Sequence, residues 1–219
     1  MVAVSRPLLL DLFCCEGGAA TGYHRAGFDV IGVDIDPQPN YPFPFVQADA
    51  LNPPFDLRHF DAIHASPPCQ AHTALRSAHI GTDYGDRHAD LIPQTRDLLT
   101  ASGRPWVMEN VPGADTLSPS LLLCGSMFGM KVRRHRLFES SHMILGPHCD
   151  HASQTEIVGI YGHFGPKKQG GAGGCSVPEA RTIMDMEWAS RYGLAQAIPP
   201  AYTEHIGRQL LDHIGAVAA

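Results

Sequence analysis

The chain of 219 residues contains no apolar run of the ~18 residues that a membrane-spanning helix requires. Met1 to Phe13 carries one basic residue and its apolar stretch is cut by Asp11, so no secretory signal peptide is expected. The six cysteines, Cys14, Cys15, Cys69, Cys124, Cys149 and Cys175, form no Cys-x-x-Cys pair and no regular framework, and they read as reduced thiols of a cytoplasmic protein. A positive balance is missing as well. Sixteen Lys plus Arg against 22 Asp plus Glu give a net charge of −6, which argues against general adhesion to nucleic acid and leaves room only for a local basic face. There are no internal repeats and no charged tail. With 44% hydrophobic and 17% charged residues, the chain is neither disordered nor fibrous. At this length one domain, or one with a small appendage, buries about 70% of its unfolded surface and needs no disulfide or metal staple.

What is present is an alternation of strand and helix signals. Pro7 to Phe13 is a short apolar run ending in small and glycine residues, as a buried parallel strand does. Gly17 to Ala26 reads as a helix stopped by Gly27, and Phe28 to Asp34 as a second strand. His59 to Ala65 is a strand halted by Pro67-Pro68, Arg87 to Thr100 has helical spacing, and Trp106 to Val111 is a further strand. The alternation predicts a parallel α/β sheet with right-handed crossovers. His142 to Ala180 is rich in Gly, His and Cys and predicts a mobile loop rather than a packed layer. Ile183 to Tyr192 looks helical, and Pro199-Pro200 opens a last helix whose Tyr202, Ile206, Leu210 and Ile214 give it one apolar face to dock on the sheet.

Ligands of open α/β sheets bind at the carboxyl ends of the strands. Read in order, those ends carry Cys14-Cys15-Glu16-Gly17-Gly18, then Asp34 and Asp36, with Asp49 further on. Glycines permit close backbone approach and an acid after the second strand suits ribose hydroxyls, so this reads as a nucleoside-type site. The turn lacks the Gly-x-Gly-x-x-Gly pattern of pyrophosphate binders, which favours S-adenosylmethionine over NAD. A tight strand–helix turn with a solvated aspartate is the alternative. Ser66-Pro67-Pro68-Cys69-Gln70 is sharper, since two prolines fix the backbone and leave a thiol at a strand end. Parallel topology brings Glu109 to the same edge, and a thiol beside a carboxylic acid suits addition to an electron-poor ring.

Taken together, these residues resemble the DNA cytosine-5 methyltransferases, with motifs in family order through nearly the whole chain. Asp11-Leu12-Phe13 with Gly17-Gly18 looks like the first motif, Cys15 replacing a usual glycine. Pro68-Cys69-Gln70, Glu109-Asn110-Val111 and Arg134-His135-Arg136 resemble the Pro-Cys-Gln, Glu-Asn-Val and Arg-x-Arg motifs, with Val132 where Gln is usual. Gln196 to Pro200, leading to Ile206-Gly207, looks like the final motif, Ala195 and Gln196 departing from its Gly-Asn. The resemblance implies a Rossmann-like α/β methyltransferase fold, a mostly parallel sheet flanked by helices with a small irregular insert. Residues 1–141 plus 181–219 would form the catalytic domain, and 142–180 a much reduced target-recognition region.

The resemblance also implies roles. Cys69, Glu109, Arg134 and Arg136 are the expected catalytic residues. S-adenosylmethionine is expected against Phe13, Cys14, Glu16, Gly17, Gly18, Asp34, Ile35, Asp49, Ala50, Pro67, Gln196, Ala197 and Ile198. DNA with a flipped cytosine is the expected partner, with Arg133, Lys167 and Lys168 on phosphates, and no membrane. An RNA or free nucleotide substrate and a catalytically degenerate DNA-binding homologue are the other readings. Whether the chain forms a homo-oligomer, or an accessory subunit supplies recognition, stays open in the sequence. The brevity suits a bacteriophage or a compact bacterial modification system, acting in the host cytoplasm. His148-Cys149-Asp150-His151, with His142, His163 and Cys175, does not match usual zinc-ligand spacing, and no metal is assigned.

Overall fold

The computed structural model describes residues 5–72, 89–162, 164–165 and 174–218. Its core is a seven-stranded sheet. Strands β1 (Leu8–Leu12), β2 (Asp29–Asp34), β3 (Phe45–Gln47), β4 (Ala62–Ala65) and β5 (Trp106–Asn110) run parallel, and β6 (Leu121–Leu123) and β7 (Arg136–Ser140) complete the order β3-β2-β1-β4-β5-β7-β6. Leu12 at the end of β1 lies opposite both Val33 and Ala65. The chain proceeds from β1 outward through β2 and β3, then returns to β4 on the other side of β1. That reversal opens a crevice above the carboxyl ends of β1 and β4.

The parallel sheet expected from the front half therefore ends at β5. β7 is antiparallel to β5, with Glu109 opposite Phe138, and β6 is antiparallel to β7. A short 3-10 turn, Gly125–Phe128, lies between β6 and β7, and without a crossover helix the chain can only fold back antiparallel.

Helix α1 (Gly18–Ala26) follows β1, and α2 (Ile92–Ala101) precedes β5. α3 (Val177–Met184), α4 (Arg191–Gln196) and α5 (Pro200–Ala218) close the chain. Tyr202, Ile206 and Leu210 are buried as their spacing predicted, but α5 docks mainly beside α1 rather than on the sheet itself. Gly22 makes that approach possible. A Cβ there would stand 2.1 Å from Thr203 Oγ1 and 2.2 Å from the Pro200 carbonyl oxygen. Among the described residues, no helix is long and apolar enough to cross a membrane.

Four further expectations are corrected. The strand expected from His59 begins at Ala62, because Leu57–His59 is a 3-10 turn capped by Asp56. The helix expected over Ile183 to Tyr192 is the end of α3, a turn, and the start of α4. Asp185 takes a left-handed φ of 56°, and the Ser190 hydroxyl caps the new helix. Arg87 lies outside the described residues, and the helix expected from it begins at Ile92. The described part of the 142–180 segment has no strand and is not a free loop. Ile144 joins the main core, while Ile160, Phe164, Cys175 and Ala180 pack with Met184, Met186 and Leu194 in a smaller one.

Candidate active site

The crevice holds a cavity of about 530 Å³, within the roughly 300–1,000 Å³ typical of small-molecule sites. The strand ends named from the sequence do meet there. Phe13, Cys14, Glu16, Gly18, Asp34, Ile35, Asp49, Ala50, Pro67, Cys69, Glu109, Arg136, Gln196, Ala197 and Ile198 all line it. Gly17 and Arg134 do not. Asp11, Ser66 and Gln70, which the motifs contain without an assigned role, also line it, as do Tyr161 and Tyr192, to which the sequence reading gave no part in the site. The two tyrosines leave 55% and 69% of their surface exposed. Tyr161 lies outside helix and strand and Tyr192 in α4, and a lone large aromatic is a signal too common to act on.

The turn from β1 to α1 is held in an unusual shape. Phe13 (φ 57°), Cys15 (φ 45°) and Gly17 (φ 80°) are all left-handed, a region that costs a side-chain-bearing residue about 1–2 kcal/mol. Asp34 pins the shape, its two carboxylate oxygens accepting from Cys15 N at 2.9 Å and Asp36 N at 3.0 Å. Gly18 is required for a different reason, since a Cβ there would meet the Ile198 carbonyl oxygen at 2.4 Å. Glu16 lines the cavity, yet both its carboxylate oxygens accept from Ser190, from the N–H at 2.7 Å and the hydroxyl at 2.6 Å. It ties the turn to α4.

At the other end, Asn110 donates to the Pro67 carbonyl at 3.0 Å and so fastens the proline turn that presents Cys69 to the exit of β5. Glu109 is buried, and Arg136 Nε lies 2.8 Å from its Oε1 as an ion pair. The Arg136 N–H is not aimed at that oxygen, so Oε1 keeps a hydrogen-bonding position free. Burial raises the Glu109 carboxyl above its ordinary range against the pull of Arg136, Arg134 and a hydrogen bond from Ser66. A buried chain stands behind Ser66. His64 Nε2 is 2.8 Å from Ser66 Oγ, and the Tyr23 hydroxyl is 3.0 Å from His64 Nδ1. Burial depresses His64 to about 3, so it is neutral. With Ser66 donating to Glu109, His64 donates from Nε2 and accepts the Tyr23 proton at Nδ1.

The Cys69 thiol is pushed up by burial and by Glu109, and Arg136 and Arg134 only partly offset this. Here burial outweighs the two arginines. Cys14 and Cys15, also at the cavity, are raised further, Cys15 to about 12, by burial and by Asp34 and Asp11.

Arg134 differs from its expected place. It is wholly buried and donates to three backbone carbonyls, Ala195 at 2.6 Å, Ala197 at 2.7 Å and Ile160 at 2.7 Å. It braces the cavity wall and does not enter the cavity. Arg133 is half-buried and donates to Gln154 Oε1 at 3.3 Å. Lys167, Lys168 and His163 lie outside the described residues. Of the suspected metal cluster, Cys175 is buried in the smaller core and His142 stacks on His213 with ring centroids 4.6 Å apart.

The cavity itself shows what it fits. Among the described residues, four buried side-chain polar atoms have no hydrogen-bond partner, and three of them, Asp11 Oδ1, Gln70 Oε1 and Glu109 Oε1, belong to its lining. Acids also dominate the lining, with Asp11, Glu16, Asp34, Asp36, Asp49 and Glu109 against Arg136 as the one basic side chain. Such a surface repels a pyrophosphate and suits a cationic nucleoside.

Fold and site together define a Rossmann-like α/β architecture with its pocket at the switch point of the sheet. The chain shares its fold, at 16% identity and a TM-score of 0.63, with a prophage-encoded protein of E. coli assigned as a DNA modification methyltransferase; 95% of this chain and 99% of that one are covered. The Dnmt2 methyltransferase of S. pombe (11%, TM-score 0.60) and the Entamoeba histolytica methyltransferase EhMeth (13%, 0.59) align equally fully, over 96% of this chain and 99% of each. No family model and no curated protein matches the chain.

Proposed function

We propose that the chain is a DNA cytosine-5 methyltransferase that uses S-adenosylmethionine. One observation carries the reading: a thiol, a buried carboxyl paired with an arginine, and an acid-lined nucleoside pocket share one cavity. When bound, S-adenosylmethionine supplies an electrophilic methyl group on a sulfonium. Its ribose would lie against Asp34 and its adenine near Asp49 and Ala50. Gln196, Ala197 and Ile198 would close the far wall.

Cytosine C5 is a weak nucleophile until something adds at C6. Cys69 Sγ forms that bond, and Glu109 gives a proton to N3, so the electron pair ends on C5 as an enamine. A positioned acid of this kind contributes about 10²–10⁴-fold. The free position on Glu109 Oε1 suits that hydrogen bond, and the Tyr23–His64–Ser66 chain orients the carboxyl. Arg136 would hold the base O2. After C5 is methylated, loss of the C5 proton to solvent expels Cys69 Sγ, and N3 returns its proton to Glu109. Because the thiol is raised in the free protein, its proton leaves in step with substrate binding rather than beforehand.

A stacked base hides this ring face, so duplex DNA must present a flipped cytosine at a cost of a few kcal/mol. Segment 142–180 is the reduced recognition region in this reading, with Arg133, Lys167 and Lys168 on phosphates. So short a segment offers few base contacts, each good bidentate pair giving about 1–3 kcal/mol, and a target of about two to four base pairs is expected. The test is incubation with cofactor and DNA, RNA or dCMP in separate arms, followed by mass spectrometry of the nucleosides. 5-Methylcytosine from DNA is expected, and its appearance only from RNA or dCMP would change the substrate. DNA containing 5-fluorocytosine should trap the protein through Cys69, and a Cys69→Ser variant should be inactive while still binding cofactor. An adduct at Cys14 or Cys15 would overturn the assignment.

A further inference from the structure

Outside the catalytic cavity, four side chains from three separate stretches of chain converge. Cys124 directly follows β6 and is buried, His135 immediately precedes β7, and Cys149 and His151 lie beyond β7. Ten, thirteen and one residues separate them in sequence, a spacing that no short metal motif describes. Their ligand atoms all lie within 4.8 Å of one another. His151 Nε2 is 3.4 Å from Cys124 Sγ and 2.8 Å from Cys149 Sγ, and His135 Nε2 is 3.5 Å from Cys149 Sγ.

As ordinary hydrogen bonding this is a poor arrangement, because thiols are weak donors and weak acceptors. As coordination it is a good one. Zn–S bonds of about 2.3 Å and Zn–N bonds of about 2.0–2.1 Å at tetrahedral angles place S and N ligands about 3.6 Å apart. Two of the three S···N distances are within 0.2 Å of that, and the third needs a small side-chain rotation. Both imidazoles present the same atom, Nε2, toward the thiols.

We infer that Cys124, His135, Cys149 and His151 form a structural zinc site. The donor set of two sulfurs and two nitrogens in this arrangement selects zinc among common divalent ions. Four protein ligands leave no open position, so the ion has a holding role rather than a catalytic one. Two thiols release their protons to solvent on binding, and the resulting thiolates neutralise the dication. An outer shell is already in place. Ser126 Oγ donates to Cys124 Sγ at 3.3 Å, lies 3.5 Å from Cys149 Sγ, and accepts from Asp150 N at 3.2 Å.

The position of His135 gives the ion its purpose. It lies between Arg134, which braces the cavity wall, and Arg136, which pairs with Glu109. A ligand fixed there holds the loop carrying both arginines to the exit of β6 and to residues 149–151, where the chain has neither helix nor strand.

The test uses the full chain, purified without a metal-affinity tag and without chelator, and reads metal by mass spectrometry. About one zinc per chain is expected. A Cys149→Ser/His151→Gln double variant should lose at least nine-tenths of it, whereas Cys175→Ser should keep it. Cobalt loaded in place of zinc should give the intense visible bands of a tetrahedral ion and thiolate charge transfer in the near ultraviolet. This reading uses wild-type protein and stands even if the double variant fails to fold. Absence of bound zinc or cobalt, an octahedral cobalt spectrum, undiminished zinc in the double variant, or a Cys124–Cys149 disulfide in metal-free protein would each overturn the site. None of these outcomes bears on methyl transfer, which is assayed separately.

Discussion

Removing Arg134 should cost stability before it costs chemistry. Its guanidinium is wholly buried and donates to the carbonyls of Ala195, Ala197 and Ile160 at 2.6–2.7 Å. Hydrogen bonds to a charged group contribute about 1.5–3 kcal/mol each, and an acceptor left buried without a partner costs a similar amount. The sum is smaller than three full terms. Ala195 and Ala197 line the cavity and can regain water, and burial depresses the guanidinium to about 9, so a desolvation cost is recovered when it goes. An Arg134→Ala variant should therefore lose roughly 3–5 kcal/mol, and at about 2–4 °C per kcal/mol for this chain length Tm should fall by roughly 6–20 °C. Urea unfolding measures the first figure and calorimetry the second. Cofactor affinity should fall with stability, because the Ala195–Ile198 wall loosens. A stability change within about 0.5 kcal/mol, the size of an ordinary surface substitution, together with lost activity would refute the reasoning and return Arg134 to direct contact with substrate.

Other perturbations test the cavity piece by piece. Burial and then Asp34 raise Asp11 from 3.8 to about 8, so its contribution to stability is complete below 3.8 and lost as pH rises through about 8. Urea unfolding across that window should show the decline in wild type, and Asp11→Asn should flatten it. Asp34→Ala should weaken S-adenosylmethionine binding by roughly 1.5–3 kcal/mol of charge-assisted hydrogen bonding while sparing DNA binding, and unchanged affinity in calorimetry would move the cofactor elsewhere. Because burial and Glu109 raise Cys69, kcat/KM should climb with pH to an inflection above that of an ordinary thiol, and an inflection below it in the pH–rate profile would count against the assignment. Cys15→Gly should raise stability by about 0.5–1 kcal/mol, the left-handed strain of about 1–2 kcal/mol less the added freedom of an unfolded glycine, with a higher Tm as the readout.

The parts of the fold legible in the sequence were those whose signal is local. β1, β2 and β5 are apolar runs at their strand positions, and α1 ends where Gly27 takes a φ of 128°. Cys69 and Glu109 could be brought to one edge because parallel strands share an exit direction. What escaped depends on contacts made across the chain. β6 is three residues long and gains its identity only by pairing with β7. Asp185 ends α3 by a backbone conformation that its side chain does not announce. The cluster of Cys124, His135, Cys149 and His151 is assembled by the β6–β7 return, so the local run His148 to His151 pointed to the region but to the wrong partners.

The Arg-x-Arg pair shows how one motif divides into two roles. In an extended strand, residues two apart lie on the same face, so Arg134 and Arg136 would be expected to point together into the cavity. Arg134 instead has a φ of 38°, a left-handed turn just before β7 begins. That turn breaks the alternation. Arg136 enters the sheet beside Glu109, and Arg134 swings toward the backbone of residues 195–197 at the end of α4. Tyr202 secures the turn by donating to the Arg134 carbonyl at 3.0 Å. One arginine thus meets Glu109 inside the cavity, and the other braces the cavity wall. The left-handed φ of Arg134 itself is what keeps the two apart, and the neighbouring His135 is where a bound ion would fix that strain in place.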